Sequence, residues 1–178
     1  LSSRGGSASG GKNGDELNGV RLSDGKGQVV LTTAQGQSIR FKESQLRPMG
    51  RTAAGVRGMK LKKGDEVAGF DIINSEEARS NRLLVVMMNG FAKQTQLKEY
   101  KLQNRGGSGI RTANITPKTG RLISAKVVSE ETEILALSAK GQVIRTKLQS
   151  VRITGRSAQG VRIMNLRAGD RLAGVVVM

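Results

Sequence analysis

The feature that most constrains this chain is a repeat of about fifty residues. A junction, in which an acidic or glycine-led turn precedes a short apolar stretch, recurs from residues 15, 65, 120 and 170. A glycine followed by a strand-like basic stretch recurs at Gly36, Gly90 and Gly141. Units of this size cannot bury both of their faces alone, so the repeat favours an array in which neighbouring units stack.

The apolar runs within each unit are short and rich in β-branched residues, which predicts strands and little helix. Examples are the runs 29–31, 83–88, 134–137 and 175–177. Turns that contain glycine, such as those at Gly90 and Gly141, separate consecutive runs as hairpins require. We therefore predict an all-β, propeller-like array of four-stranded blades, with about three and a half blades present.

The repeat also predicts how the chain is divided. We expect residues 1–15 to be a flexible Gly/Ser-rich segment or the end of a preceding blade. Three blades follow, at 16–65, 66–120 and 121–170. Residues 171–178 are expected to be the first strand of a following or closing blade.

The residue types present argue against catalysis. The chain has no cysteine and no histidine, which excludes thiol nucleophiles, disulfides, Cys/His zinc sites and imidazole acid–base chemistry. The glycine-rich stretch 50–57 lacks the Gly-Lys-Ser/Thr ending of a nucleotide loop. The carboxylate pairs at 76–77 and 130–131 lie in turn-like stretches, where solvated acids are ordinary. We predict no catalytic residue, no metal site and no cofactor.

No apolar run approaches the roughly 18 residues of a membrane span, and the N-terminal stretch lacks the apolar centre of a signal peptide. We therefore expect a cytoplasmic location and no contact with a membrane.

The net charge of +16 is distributed in phase with the repeat. Residues 36–63 carry +7, residues 90–121 carry +6 and residues 139–167 carry +7, so the rest of the chain is net negative. Equivalent positions in stacked units lie on one surface, and this phase therefore predicts a continuous basic band. A band of this kind suits a polyanion, above all the phosphate backbone of duplex DNA.

Arginine-led loops that begin at residues 51, 105 and 156 are the best phosphate candidates, because backbone N–H groups in a glycine-rich turn can converge beside the guanidinium. The full set of predicted DNA contacts combines these loops with the strand-like basic stretches. It comprises Arg40, Lys42, Arg51, Arg57, Lys93, Lys101, Arg105, Arg111, Arg145, Lys147, Arg156 and Arg162. The four aromatic residues are too few for a single-strand stacking surface, and we assign them to the core.

The sequence resembles the C-terminal domains of DNA gyrase A subunits. The resemblance is carried by residues 47–59 with the junction 64–67 after them, and by the stretches 89–93, 141–146, 155–162 and 164–166. It covers nearly the whole chain beyond about residue 15. It implies a β-pinwheel that wraps DNA around a basic perimeter and supports negative supercoiling by the holoenzyme. ATP hydrolysis, Mg²⁺ and DNA cleavage then belong to the B subunit together with the remainder of the A subunit.

The family has a signature sequence, the gyrase A box, with the pattern Gln-Arg-Arg-Gly-Gly-Lys-Gly. A degenerate version is present at Gln103, Asn104, Arg105, Gly106, Gly107, Ser108 and Gly109. Asn104 and Ser108 stand where the box has basic residues, so this stretch resembles an accessory copy. Two alternatives stay open: the related pinwheel of topoisomerase IV A subunits, and a propeller-type scaffold whose basic band meets an acidic protein.

Overall fold

A computed structural model describes residues 19–50, 53, 55–73, 81–128 and 133–178. These ranges contain eleven strands and three short 3₁₀ helices. The strands are β1 Gln28–Thr33, β2 Gln37–Lys42, β3 Val67–Ile73, β4 Arg82–Met87, β5 Phe91–Gln96, β6 Ile110–Arg111, β7 Leu122–Val128, β8 Glu133–Ser138, β9 Val143–Lys147, β10 Val161–Arg162 and β11 Leu172–Val177. The 3₁₀ helices are Glu43–Gln45, Leu97–Glu99 and Leu148–Ser150. The segment 1–15, Arg51 and the acidic pairs 76–77 and 130–131 lie outside the described residues.

The strands form three antiparallel sheets, which confirms the predicted all-β fold. The first sheet has the order β3-β1-β2-β6, the second β7-β4-β5-β10, and the third β11-β8-β9. Each sheet is built on a hairpin whose turn contains a glycine with positive φ, namely Gly36, Gly90 and Gly141. Positive φ is strained for other residues, which explains why a glycine marks the same phase of every repeat.

The sheets are offset from the units seen in the sequence. Strand β3 lies after residue 65 yet pairs with β1, so it completes the first sheet. Strand β11 pairs with β8 in the same manner and completes the third sheet rather than opening a further one. The boundaries at 65/66, 120/121 and 170/171 thus mark the sequence repeat, while each sheet reaches into the unit that follows.

The fourth strand of the first two sheets also comes from the following unit. In β6, Ile110 pairs with Ser38 of β2; in β10, Val161 pairs with Ala92 of β5. Both strands follow a glycine with positive φ, Gly109 or Gly160, at which a Cβ would collide with the carbonyl oxygen of Ser38 or Ala92. Each of the first two sheets therefore receives its fourth strand from the following unit. The glycine before that strand allows its backbone to approach the preceding sheet closely.

The core is distributed between the sheets, as expected for a stacked array. One buried cluster joins Val30 and Ile73 of the first sheet to Leu83 and Val85 of the second. A second cluster joins the second sheet to the third, and a third lies on the outer side of the first sheet. The central strands of the first two sheets, β1 and β4, are buried on both faces, which explains their continuous apolar runs in the sequence. All four aromatic residues are buried, which confirms their assignment to the core: Phe41, Phe70, Phe91 and Tyr100.

Tyr100 has a structural role in this core. Its side chain is 1% exposed, and its hydroxyl shares a 2.6 Å hydrogen bond with Thr112 Oγ1. Burial raises the pKa of the phenol. A buried, hydrogen-bonded tyrosine of this kind is a packing residue and is not placed to act as a nucleophile.

Candidate nucleic-acid interface

The hairpin glycines and the 3₁₀ helices align the three units residue by residue. Each 3₁₀ helix begins seven residues after its glycine, at Glu43, Leu97 and Leu148. The positive-φ glycines at 55, 109 and 160 provide a second reference point. Equivalent side chains can therefore be compared directly between the units.

Two sets of equivalent positions are basic and exposed in all three units. The first ladder follows each 3₁₀ helix and consists of Arg47, Lys101 and Arg152. The second ladder follows each positive-φ glycine and consists of Arg57, Arg111 and Arg162. We call these six residues the rim ladders. The prediction from sequence contained four of them and missed Arg47 and Arg152, although their phase relative to the glycines would have revealed both.

Three further predicted contacts are exposed but are less regular. Lys42 and Lys147 occupy equivalent positions at the ends of β2 and β9, where the second unit has Gln96. Arg145 is exposed and forms an ion pair with Glu133. These three side chains are exposed cations that do not repeat in every unit.

Arg40 is not on the surface, which corrects its assignment as a phosphate contact. It is 8% exposed, and its Nη1 donates hydrogen bonds to the carbonyl oxygens of Leu97 at 2.8 Å and Tyr100 at 3.1 Å. Its Nε donates to Gln28 Oε1 at 2.6 Å. Burial lowers the pKa of this guanidinium. Arg40 therefore links the first sheet to the 3₁₀ helix of the next unit, and the interfaces between neighbouring sheets are called seams below.

Lys93 is the second correction, for a similar reason. Its side chain is fully buried, and its Nζ donates to the carbonyl oxygens of Gly155, at 2.9 Å, and Arg156. Burial lowers the pKa of Lys93 to about 8, while the charge of Glu99 acts in the opposite direction. Lys93 stands where the other units have Ile39 and Ile144, so its position in β5 points inwards.

The two arginine-led loops at Arg105 and Arg156 connect units, and both arginines bind main-chain carbonyls. Arg105 Nη1 donates to the carbonyl oxygen of Arg57 at 2.6 Å, and Arg156 Nη1 donates to that of Arg111 at 3.0 Å. The backbone N–H of Arg105 donates to Gln45 at 2.7 Å. Both loop arginines thus lie half-buried beside the second rim ladder and hold it in place.

Comparison with known proteins identifies the family to which this fold belongs. The model of the DNA gyrase C-terminal domain, a beta-propeller, matches residues 27–74, 83–129 and 132–177. The chain belongs to this family. It is 43% identical over 164 residues to the A subunit of DNA gyrase from Staphylococcus epidermidis, which covers 92% of the chain but 18% of that relative. The chain therefore spans less than a fifth of the gyrase protein that it matches.

Two solved structures have the same fold. The C-terminal domain of DNA topoisomerase IV superposes with a TM-score of 0.86 at 26% identity, covering 93% of this chain and 51% of that domain. The DNA gyrase A C-terminal domain superposes with a TM-score of 0.76 at 29% identity, covering 84% and 50%. This gyrase-family chain thus corresponds to about half of each solved domain.

The stretch that resembles the gyrase box, residues 103–109, packs against the first unit. Gln103 donates its backbone N–H to the carbonyl of Arg40 at 2.8 Å, and Gly106 donates to Gly58 at 2.8 Å. In return, Lys60 donates its backbone N–H to Gly107 at 2.9 Å. The backbone of this degenerate box therefore joins two units of the gyrase-family fold.

Two further kinds of feature, a metal centre and a membrane span, can be judged for the described residues. No group of three or more carboxylate, thiol or imidazole side chains lies together in them in a way that could hold a metal ion. The described helices are also too short and too polar to include a membrane span.

Proposed function

We propose that this chain binds duplex DNA without reading its sequence and wraps it along the rim ladders. The single observation that carries the proposal is the repetition of two exposed basic positions in all three units. A polyanion with evenly spaced charges matches a surface with evenly spaced cations. The gyrase and topoisomerase IV relatives support DNA as that polyanion, because both are named as enzymes of DNA.

Within the whole protein, the proposed role is that of a C-terminal module of a type II topoisomerase A subunit in the bacterial cytoplasm. Its partners would be duplex DNA, the B subunit of the enzyme and the rest of the A subunit. Wrapping would present a second DNA segment to the catalytic parts and so support ATP-dependent negative supercoiling. The proposal assigns no catalytic residue, ATP site or Mg²⁺ site to this chain.

A salt titration of DNA binding tests the proposal. Six ladder contacts to phosphate predict that log affinity for random duplexes falls with log salt at a slope of about −5 or steeper. Two duplexes of unrelated sequence should bind equally. Strong preference for one of them, or a flat salt dependence, would contradict phosphate binding and favour the acidic-protein scaffold instead.

A pair of charge-matched variants tests the location of the surface. Replacing Arg57, Arg111 and Arg162 by Gln should flatten the slope by about 3 and weaken binding more than tenfold at 0.1 M salt. The control replaces Arg21, Arg121 and Arg171, which are exposed arginines that belong to neither rim ladder. It removes the same charge and should have a much smaller effect. Equal losses in the two variants would mean that total charge, and not the ladder, binds DNA.

Wrapping itself has a topological signature. Nicked circular DNA ligated in the presence of the chain should close with a changed linking number, in proportion to the bound protein. Ligation products that match protein-free controls, at protein concentrations that saturate binding, would show binding without wrapping.

A further inference from the structure

The arginine-led loops of the second and third units make the same contact in two successive seams. Arg105 and Arg156 are equivalent, because each lies four residues before a positive-φ glycine. Arg105 Nη1 donates to the carbonyl oxygen of Arg57, a ladder residue of the first unit. Arg156 Nη1 donates to the carbonyl oxygen of Arg111, the equivalent ladder residue of the second unit. Each loop arginine is therefore bound to the backbone of one member of the second rim ladder.

The backbone N–H of each loop arginine is occupied as well. The N–H of Arg105 donates to Gln45 Oε1 at 2.7 Å, and that of Arg156 donates to Glu99 Oε2 at 3.3 Å. Gln45 and Glu99 are equivalent, since each ends the 3₁₀ helix of its unit. These two donors, which a phosphate cradle would need, are thus already used. In the second seam the acceptor is a carboxylate, which repels an anion.

The loop of the third unit has a further anchor. Lys93 is fully buried, and its Nζ donates to the carbonyl oxygens of Gly155 and Arg156. Arg156 is therefore held through its carbonyl, its N–H and its guanidinium. A surface arginine that simply reaches for a phosphate needs none of these three contacts.

Arg111 is held from both neighbouring units. Its strand, β6, pairs with β2 of the first unit, where Gln37 lies opposite Arg111. Its carbonyl oxygen accepts the 3.0 Å hydrogen bond from Arg156 of the third unit. Its side chain is exposed. The main chain of this ladder residue is thus fixed, while its cationic side chain faces solvent.

We propose that Arg105 and Arg156 are positioning residues for DNA binding. Each acts through the ladder residue whose carbonyl it binds, and not through a phosphate contact of its own. The inference rests on the proposed function, because that function assigns the ladder residues to phosphate. A fixed backbone lowers the conformational entropy that a ladder residue loses when DNA binds. Both loop arginines are half-buried, whereas Arg57 and Arg111 are exposed, which favours this indirect role.

The competing hypothesis is a direct contact, in which the remaining N–H groups of each loop guanidinium bind phosphate. The two hypotheses differ in how substitutions combine. Residues that act through one contact give losses that do not add, whereas independent contacts give losses that do. A double-mutant cycle of DNA affinity and salt slope therefore separates them.

The first cycle combines Arg156→Met, which removes the donor but keeps an unbranched stem, with Arg111→Gln. Alone, they should weaken binding of a random duplex at 0.1 M salt by about threefold and about fivefold. The double variant should stay near the fivefold loss, with the slope flattened by about 0.9 in total. Direct phosphate contact predicts a loss of about fifteenfold and a slope flattened by about 1.8.

A second cycle and a crossed cycle locate the coupling. Arg105→Met should be coupled to Arg57→Gln in the same manner as the first pair. Arg156→Met and Arg57→Gln lie in the third and first units, so their losses should multiply. Equal coupling in the direct and crossed pairs would indicate a general disturbance of the fold and would overturn the proposal.

The charge-matched control is Arg171→Met, which removes an exposed arginine that belongs to neither ladder. It should have a much smaller effect than Arg156→Met, and its loss should multiply with that of Arg111→Gln. Equal effects of Arg171→Met and Arg156→Met would show that only the charge of Arg156 matters. Circular dichroism checks that each variant is folded.

A measurement without DNA tests the contact itself. In Arg156→Met, the NMR order parameter of the Arg111 N–H should fall below about 0.85, the value of rigid backbone, while that of Arg57 stays unchanged. In Arg105→Met, the order parameter of Arg57 should fall instead. Wild-type order parameters in both variants would overturn the positioning role.

The salt titration of the wild-type chain separates this proposal from the one on which it rests. A flat salt dependence would remove the proposed function and the positioning role together. A steep slope, combined with losses that multiply in both direct pairs, would leave DNA binding in place and overturn the positioning role alone.

Discussion

The seams and the rim both use basic side chains, but in opposite ways. In the seams, Arg40 and Lys93 are buried, and their cationic groups bind main-chain carbonyls of the next unit. On the rim, residues such as Arg111 are exposed, and their cationic groups face solvent. The first use orders the array, and the second leaves charge available to a partner. Basic residues close together in sequence can therefore serve structure in one case and binding in the other.

The largest effect should come from removing a seam contact. Arg40→Met leaves two carbonyls and Gln28 without their donor, and it should lower the free energy of unfolding by about 3 kcal/mol. Arg40→Gln should restore most of this loss, because Gln94 binds the equivalent carbonyls in the next seam. Urea denaturation measures both values.

The matched comparison is Arg145→Met in the third unit. Among the described residues, exposed Arg145 forms its ion pair within its own sheet, with Glu133, so its loss should cost less than about 1 kcal/mol. Losses of equal size at positions 40 and 145 would show that the seam contact adds nothing to the stability of the first unit.

Sequence reasoning identified the repeat, the strands and the phase of the basic residues, because all three depend on local patterns. It could not separate Arg40 from Arg145, which lie in nearly identical segments. Burial at this position depends on whether a following unit covers the strand, and that is a tertiary property. The repeat in the sequence also assigned β3 and β11 to the units they begin, whereas their antiparallel pairing with β1 and β8 places them in the preceding sheets.

The burial of Lys93, in contrast, could have been predicted, because the sequence carries a signal at this position. The two equivalent positions are occupied by Ile39 and Ile144, and an apolar position in a strand predicts an inward-pointing side chain. A lysine in such a position is expected to be buried and to bind polar groups of the fold. The rim residues Arg47 and Arg152 carry a similar signal, because each lies as far after its hairpin glycine as Lys101 does after Gly90.

The buried ammonium of Lys93 makes the second seam sensitive to pH. Its pKa of about 8 in the folded chain lies below the ordinary value of 10.5, so the unfolded chain binds this proton more tightly. The free energy of unfolding should therefore rise with pH above about 8, by roughly 2 kcal/mol between pH 7 and 9.5. Below pH 8 the lysine is charged in both states, and its desolvation cost is fully present.

The control for this prediction is Lys93→Met, which has no titrating group at the position. Tyr100 and the surface lysines are common to both proteins, so the difference between their unfolding free energies isolates Lys93. That difference should change by about 2 kcal/mol across the same interval. Parallel pH profiles for the two proteins would show that the buried ammonium is not perturbed.

The smallest effect should come from a single rim residue. Arg111→Gln removes one exposed charge, so DNA affinity should fall about fivefold at 0.1 M salt and the salt slope should flatten by about 0.9. Stability should stay within about 0.5 kcal/mol of wild type, because no seam contact changes. Arg40→Gln removes the same charge from a seam, which makes it the matched control.

The two variants separate local contact from total charge. Phosphate contact predicts that Arg111→Gln loses affinity equally for two unrelated duplexes, while Arg40→Gln keeps both affinity and slope close to wild type. Fluorescence anisotropy over a range of salt concentrations measures these quantities for both proteins. If the two substitutions weakened binding equally, DNA would be responding to the net charge at long range, and the rim residues would not form its contact surface.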